Sequence, residues 1–345
     1  MNKQPIVSIC IPTLNRGDFI SETLDSITSQ ITNDIEIIIL DGGSTDNTKQ
    51  VVQHYLDNYP YIKYSKLHEK DEFDHDLELT ISKSKGIYCW LFSDDDIVKP
   101  GAIDILLSKL ESLPDLVILN SEIKDKQLKK ILRPSFLKIS TDRSYLQKDF
   151  ENFFINTADY LSFFGGVVIK KSIWVARNKK NYYGTRFLHV GVILQKYFKN
   201  NILVVAQPLI SIRYGNASWS EKSFYYSLVV WPNLIWSFTD ISDQAKKEVC
   251  KKNFSKSLLT LILYRAQGSY SITEYNKYFK DLFLKYSIVK YLSYLIALFP
   301  GYFLNTILYI YFTIFKILHK NSQFYLLDLK SSRFFYKKLF LGTFK

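Results

Sequence analysis

Tyr88 to Ala102 reads YCWLFSDDDIVKPGA. A continuous apolar run ends in three adjacent carboxylates, Asp94, Asp95 and Asp96, and then in Pro100-Gly101. Such a run predicts a strand buried on both faces. Three neighbouring negative charges repel one another, so the turn after the strand needs a reason. It is either a solvated turn whose Asp96 caps the next helix, or a site for a hard divalent cation, Mg2+ or Mn2+, which prefers oxygen ligands.

The chain on either side repeats the pattern of strand and helix. Ile6–Ile11, Ile35–Leu40, Tyr61–Ser65, Ile87–Phe92 and Leu116–Leu119 read as strands. Between them lie amphipathic segments, among them one with Phe19, Ile20, Leu24 and Ile27 on its apolar side. The expected class is α/β, with a mostly parallel, Rossmann-like sheet covered by helices on both faces. Ligands of such sheets bind beyond the C-terminal strand ends. That rule gathers Thr13–Arg16, Asp41–Ser44 and Ser93–Asp96 along one rim. Further on, Phe164–Ile169 reads as a strand, Arg186–Phe198 as a helix and Ile202–Ile212 as an extended stretch broken by Pro208.

The charge of this 345-residue chain is uneven. Residues 1–120 carry 10 Lys and Arg against 20 Asp and Glu, whereas residues 246–345 carry 17 against 4. A basic tail implies nucleic acid or an anionic membrane. Here the positive charge sits among long apolar runs, which points to lipid and not to nucleic acid. Between Lys290 and Lys316 there is no charged residue for 25 positions. The punctuation of Pro100-Gly101 recurs there, since Pro300-Gly301 breaks that run. Two helices lying in the membrane interface are expected over a single span, with helices packed on the catalytic domain as a third arrangement. Three separated cysteines argue for a reducing compartment.

Three segments carry a resemblance: SICIPTLNRGDFISETLDSI (8–27), IEIIILDGGSTDNT (35–48) and KGIYCWLFSDDDIVKPGAI (85–103). In this order and spacing they resemble the family 2 nucleotide-sugar glycosyltransferases of the GT-A fold. The SDDD form is most similar to bacterial O-antigen and abequosyltransferase-type polysaccharide transferases. The resemblance implies an inverting transfer from a nucleotide diphosphate sugar, assisted by Mg2+ or Mn2+. It implies nucleotide contacts at Pro12, Thr13, Asn15, Arg16 and Asp41, and donor-pocket positions at Asp74, Asp76 and Asp94, with helix capping as the other reading of Asp74 and Asp76. Gly42 stands where the family often has a second Asp, so backbone contact is expected at that point. Ser93 replaces the first Asp of the metal motif, which leaves Asp95 and then Asp96 as expected metal ligands.

The family's general base is an Asp or Glu in the acceptor half, but Tyr182–Leu194 contains no carboxylate. His189 takes that place, as base, as a further metal ligand or as a buried packing histidine, with Asp159 as the rival base. Arg213 is a candidate diphosphate contact, and Trp219 a surface for stacking on a sugar. The implied acceptor is a polyprenyl-diphosphate-linked oligosaccharide, and the implied location is the cytoplasmic face of the bacterial inner membrane, peripheral or monotopic. The expected division is a transferase domain over 1–240, with its nucleotide-binding half in 1–120, and a helical region over 241–345. The other reading is a non-catalytic nucleotide- or lipid-binding protein on the same fold.

Overall fold

The computed structural model describes residues 4–69, 71–216, 220–250, 258–280, 288–316 and 321–336. Its strands are β1 (Val7–Thr13), β2 (Ile35–Asp41), β3 (Ile62–Lys66), β4 (Tyr88–Leu91), β5 (Ile97–Val98), β6 (Leu116–Lys124), β7 (Ile131–Arg133), β8 (Arg143–Tyr145), β9 (Val167–Lys170) and β10 (Ile202–Arg213). They form one sheet in the order β3-β2-β1-β4-β9-β6-β10-β5, with β7 beside β6 and β8 beside β10.

The helices are α1 (Ile20–Thr28), α2 (Thr48–Asn58), α3 (Phe73–Lys83), α4 (Ala102–Leu110), α5 (Phe150–Leu161), α6 (Lys171–Ala176), α7 (Leu188–Leu194), α8 (Ser223–Tyr225), α9 (Trp231–Ser237), α10 (Asp243–Val249), α11 (Leu258–Gln267), α12 (Ile272–Glu274), α13 (Ile288–Leu298), α14 (Gly301–Ile314) and α15 (Ser322–Ser331).

The apolar strands behave as their composition demands. Every residue of β1 and β2 is buried, and β1 pairs in parallel with both β2 and β4. Ile9, Ile11, Ile37 and Ile39 join one core with Ile20 and Leu24 of α1 and Ile103 and Leu106 of α4. Strand side chains alternate between faces, and α3 packs against β1 and β2. Pro208 lacks an N–H, and the pairing of β10 with β6 shifts register between Val205 and Ile210.

Two expectations are modified. The strand anticipated at Phe164 starts at Val167, after a 3-10 turn over Phe164–Gly166. It runs antiparallel to both neighbours, β4 and β6. At Gly166 a Cβ would come within 2.7 Å of the Leu119 carbonyl oxygen and 2.6 Å of the Tyr160 hydroxyl. The glycine therefore serves close packing of the chain against itself. The helix anticipated over Arg186–Phe198 is limited to Leu188–Leu194.

The chain divides into two units. One comprises Met1–Arg213 with Ser237–Val249, and the other Tyr214–Trp236 with Cys250–Lys345. This division falls at Arg213 and returns α10 to the first unit, whereas the sequence reading drew a single boundary at 240. In the second unit, Leu263, Ala266, Leu308, Phe312 and Leu329 form a core cluster. Among the described residues no single helix is long and apolar enough to cross a membrane. The pair α13 and α14 meets at a bend of 97°.

Candidate active site

The rim begins with two loops stitched together. The Gly42 N–H donates to the Thr13 carbonyl at 2.8 Å. The Asn15 N–H donates to Ser44 Oγ at 2.8 Å, and Asn15 Oδ1 accepts the Thr45 N–H at 2.8 Å. The Arg16 N–H donates to Thr48 Oγ1 at 2.9 Å, and the Gly17 N–H to Asp46 Oδ2 at 3.0 Å. Asn15 holds φ 54, a left-handed conformation that asparagine tolerates better than most residues. Its side-chain oxygen is engaged in holding the second loop. Pro12 and Thr13 are buried beside it.

Asp41, at the end of β2, is fully buried. Its Oδ1 accepts the Gly43 and Ser44 N–H groups at 3.0 and 2.6 Å, and its Oδ2 accepts the Tyr64 hydroxyl at 2.6 Å. Burial and that bond push the Tyr64 phenol up. Asp41 therefore shapes the Gly42–Ser44 turn from within.

Gly42 has a specific neighbour. A Cβ there would lie 2.6 Å from Asp76 Oδ2. The carboxylate of Asp76, delivered from α3, fills the space that a side chain at 42 would take. Asp76 is 6% exposed and its Oδ1 has no hydrogen-bond partner. Burial, then the charge of Asp71, raise it to about 6. A buried carboxylate oxygen without a donor is costly, which marks it as a group that awaits one. Asp74, two residues earlier, is differently employed. It accepts the Arg186 N–H at 2.8 Å and the Leu188 N–H at 3.3 Å. It therefore anchors the start of α7 and does not open onto the rim.

The three carboxylates after β4 have separate fates. Asp94 and Asp95 both face Arg16, at 3.4 Å from Nε and 3.7 Å from a terminal nitrogen. Ser93 Oγ donates to Asp95 Oδ1. Burial, then the neighbouring Asp95, raise Asp94 to about 7. Asp96 turns the other way: its Oδ1 accepts the Arg213 N–H at 2.8 Å, and its carbonyl accepts Thr23 Oγ1–H at 2.9 Å. The pair that shares a cation is thus Asp94–Asp95. Asp96, expected as the second metal ligand, has its Oδ1 engaged in holding β10 in place.

Arg213 is corrected likewise. Its guanidinium donates to the Asp95 and Lys126 carbonyls, each at 2.8 Å, and to Glu22 Oε2 at 3.1 Å. With 6% exposure it braces the carboxylate turn and is not presented to a diphosphate. Nothing in the local sequence marks Thr23, Glu22 or Tyr64 as supports of the rim. Only the pairing of β2 with β3 and the return of β10 bring them there.

His189 is 1% exposed, with Nε2 at 2.7 Å from the Leu161 carbonyl oxygen. Burial pulls it down to about 4. It packs near Phe164 as an interior histidine, so the base reading is corrected: a proton acceptor must reach the acceptor hydroxyl. Asp159 is exposed on α5. Its neighbour Tyr160 is buried and feels the charge of Asp96. Trp219 lies outside the described residues.

Residues 8–170 match the model of the family described as Glycosyl transferase family 2. The chain is 30% identical over 237 residues to the Abequosyltransferase RfbV of Salmonella typhimurium, covering 63% of this chain and 69% of that protein. It is 30% identical over 109 residues to the Hyaluronan synthase of Pasteurella multocida, of which it covers 11%. Among solved structures, S. aureus TarS 1-349 in complex with UDP-GlcNAc aligns with a TM-score of 0.53 and 14% identity, over 97% of this chain and 92% of that one. The last likeness speaks to the fold. Together with the rim geometry, these matches establish that the chain belongs to glycosyl transferase family 2 and is a transferase enzyme of the GT-A fold.

Proposed function

We propose that the chain is a metal-dependent, inverting glycosyltransferase. It moves one sugar from a nucleotide diphosphate donor to a polyprenyl-diphosphate-linked oligosaccharide in O-antigen or surface polysaccharide synthesis. The setting is the cytoplasmic face of the bacterial inner membrane. The observation that carries this reading is the sharing of Arg16, from the first loop, by Asp94 and Asp95, from the third.

The residues suit a hard cation. Two side-chain carboxylates with no softer donor match the one or two protein ligands that Mg2+ commonly takes, the rest being phosphate oxygens and water. Among the described residues no group of three His, Cys, Asp or Glu side chains gathers to hold a metal. Asp95 with Asp94 would hold Mg2+ or Mn2+. Bound there, the ion supplies Lewis-acid neutralisation of the diphosphate leaving group.

The chain's own groups do the rest. The backbone of Gly42–Ser44 lies along the nucleotide, held by Asp41. Asp76 Oδ1 accepts an N–H or O–H of the donor. Arg16 meets the diphosphate with its fork of donors. Asp159 accepts the proton of the attacking hydroxyl.

Calorimetry tests the metal reading. UDP, CDP, GDP and dTDP are titrated with Mn2+ and with a chelator. At least one nucleotide binds the parent more tightly with Mn2+, and Asp95→Asn removes that gain. Equal binding in chelator and in Mn2+ would sink the metal assignment.

A further inference from the structure

The helices α13 and α14 are apolar on both sides. Their inward faces hold Ala297, Leu308 and Phe312 together with two polar side chains, Ser293 and Asn305, both 0% exposed. Asn305 Nδ2 donates to the Ala266 and Leu329 carbonyls, each at 3.0 Å. The Tyr270 hydroxyl donates to the Ser293 carbonyl at 3.0 Å. The outward faces are apolar and open: Ile288 is 72% exposed, Leu298 51%, Phe303 51%, Ile307 56% and Ile314 67%. The hydroxyls of the outer helix surface turn back on it. Thr306 donates to the Tyr302 carbonyl at 2.9 Å and Thr313 to the Tyr309 carbonyl at 2.7 Å, the bond that satisfies such groups without water.

A helix bathed in water keeps its outer face polar. Of the 22 large apolar side chains that are exposed among the described residues, 13 fall between Ile288 and Phe315. Scattered exposed apolar residues need no explanation, but a contiguous face of them marks a contact. The helices hold 11 and 14 residues, or about 16 and 21 Å, short of the ~30 Å hydrocarbon core. Charge selects the occupant. From 291 to 315 the face has no charge, Lys290 in the first turn of α13 and Lys316 flank that stretch, and residues 246–345 carry 17 Lys and Arg against 4 Asp and Glu. A second copy of the chain would bring the same positive charge, whereas an anionic lipid surface complements it.

We infer that the outer face of α13 and α14 beds into the headgroup–acyl boundary of an anionic bilayer as a monotopic anchor. The flanking lysines meet lipid phosphates. The inference rests on the membrane setting proposed above and is independent of the chemistry proposed there.

Flotation of the full chain with phosphatidylcholine vesicles, with and without phosphatidylglycerol, tests it. The parent floats with the mixed vesicles, less so at high salt. Phe303→Glu and Ile307→Glu each weaken vesicle binding about tenfold or more. Ile307→Ser, which adds no charge, weakens it less. Melting temperature and nucleotide binding stay at parental values in all three. Flotation of the glutamate variants equal to the parent overturns the inference. So does a parent that ignores vesicles and forms a dimer which Phe303→Glu dissociates. Loss of nucleotide binding in a parent that still floats counts against the proposed chemistry alone.

Discussion

The two units differ in where they place charge and apolar surface. In the first, isoleucines and valines fill the sheet, and carboxylates collect at its C-terminal rim around Arg16. In the second, Ser293 and Asn305 are buried beside Leu308 and Phe312, while Ile288, Leu298, Phe303, Ile307 and Ile314 of α13 and α14 stand exposed. The difference teaches that exposure tracks what a surface is built to meet: charge is concentrated at the rim, and the outer face proposed above to meet lipid is apolar.

The comparison can be broken hardest at the rim. Asp95→Asn lowers sugar transfer about a thousandfold, read as kcat/KM with the cognate donor, if the carboxylate at that position holds the cation that neutralises the leaving group. Retention within tenfold of the parent would make the rim carboxylates structural.

Asp328 sharpens the contrast as the carboxylate that the second unit turns inward. It accepts the Tyr214 hydroxyl at 2.8 Å and Gln267 Nε2–H at 3.2 Å. Burial raises it to about 6 from an ordinary 3.8. A folded-state value above the unfolded one favours folding below about pH 3.8, and that contribution is lost as pH rises through about 6. Asp328→Asn escapes the loss. Relative to the parent, the variant gains up to about 3 kcal/mol between pH 4 and 7, measured by urea unfolding at each pH. A constant difference across that range would show the carboxyl to be unperturbed.

Neighbouring residues of α14 give the smallest and most local test. Leu308 is 9% exposed and Ile307 56%. Leu308→Ala costs about 2–4 kcal/mol, while Ile307→Ser shifts stability by less than about 0.5 kcal/mol. Equal costs, by chemical denaturation without lipid, would mean that the outer face is covered by protein.

Much of the first unit was legible because a parallel sheet buries both faces of its strands, and continuous apolar runs such as Ile35–Leu40 announce that directly. Helix α5 escaped although Asp149 stands at its N-cap, since Phe150–Leu161 follows a polar region that hides the start of its apolar pattern. The direction of β9 also escaped, because strand direction is a property of neighbours and not of the run itself. At the site, the motif loops around Asp41 and Asp95 were found from their pattern. The roles of Arg213 and His189 were misread and the engagement of Asp96 with β10 was not legible, since each depends on partners distant in sequence: Asp96 on Arg213, Arg213 on Glu22 and Lys126, His189 on Leu161.

By itself, the order of residues determined the α/β class, the three loops of the rim and the uncharged segment between Lys290 and Lys316. These follow from local periodicity and from the chemistry of adjacent side chains. Tertiary structure alone decided which carboxylates face Arg16, that Asp76 occupies the place beside Gly42, and which face of α13 and α14 is left open. Hydrogen bonds, burial and like-charge repulsion act across space, so the division of labour among identical side chains is settled only where the chain folds back on itself.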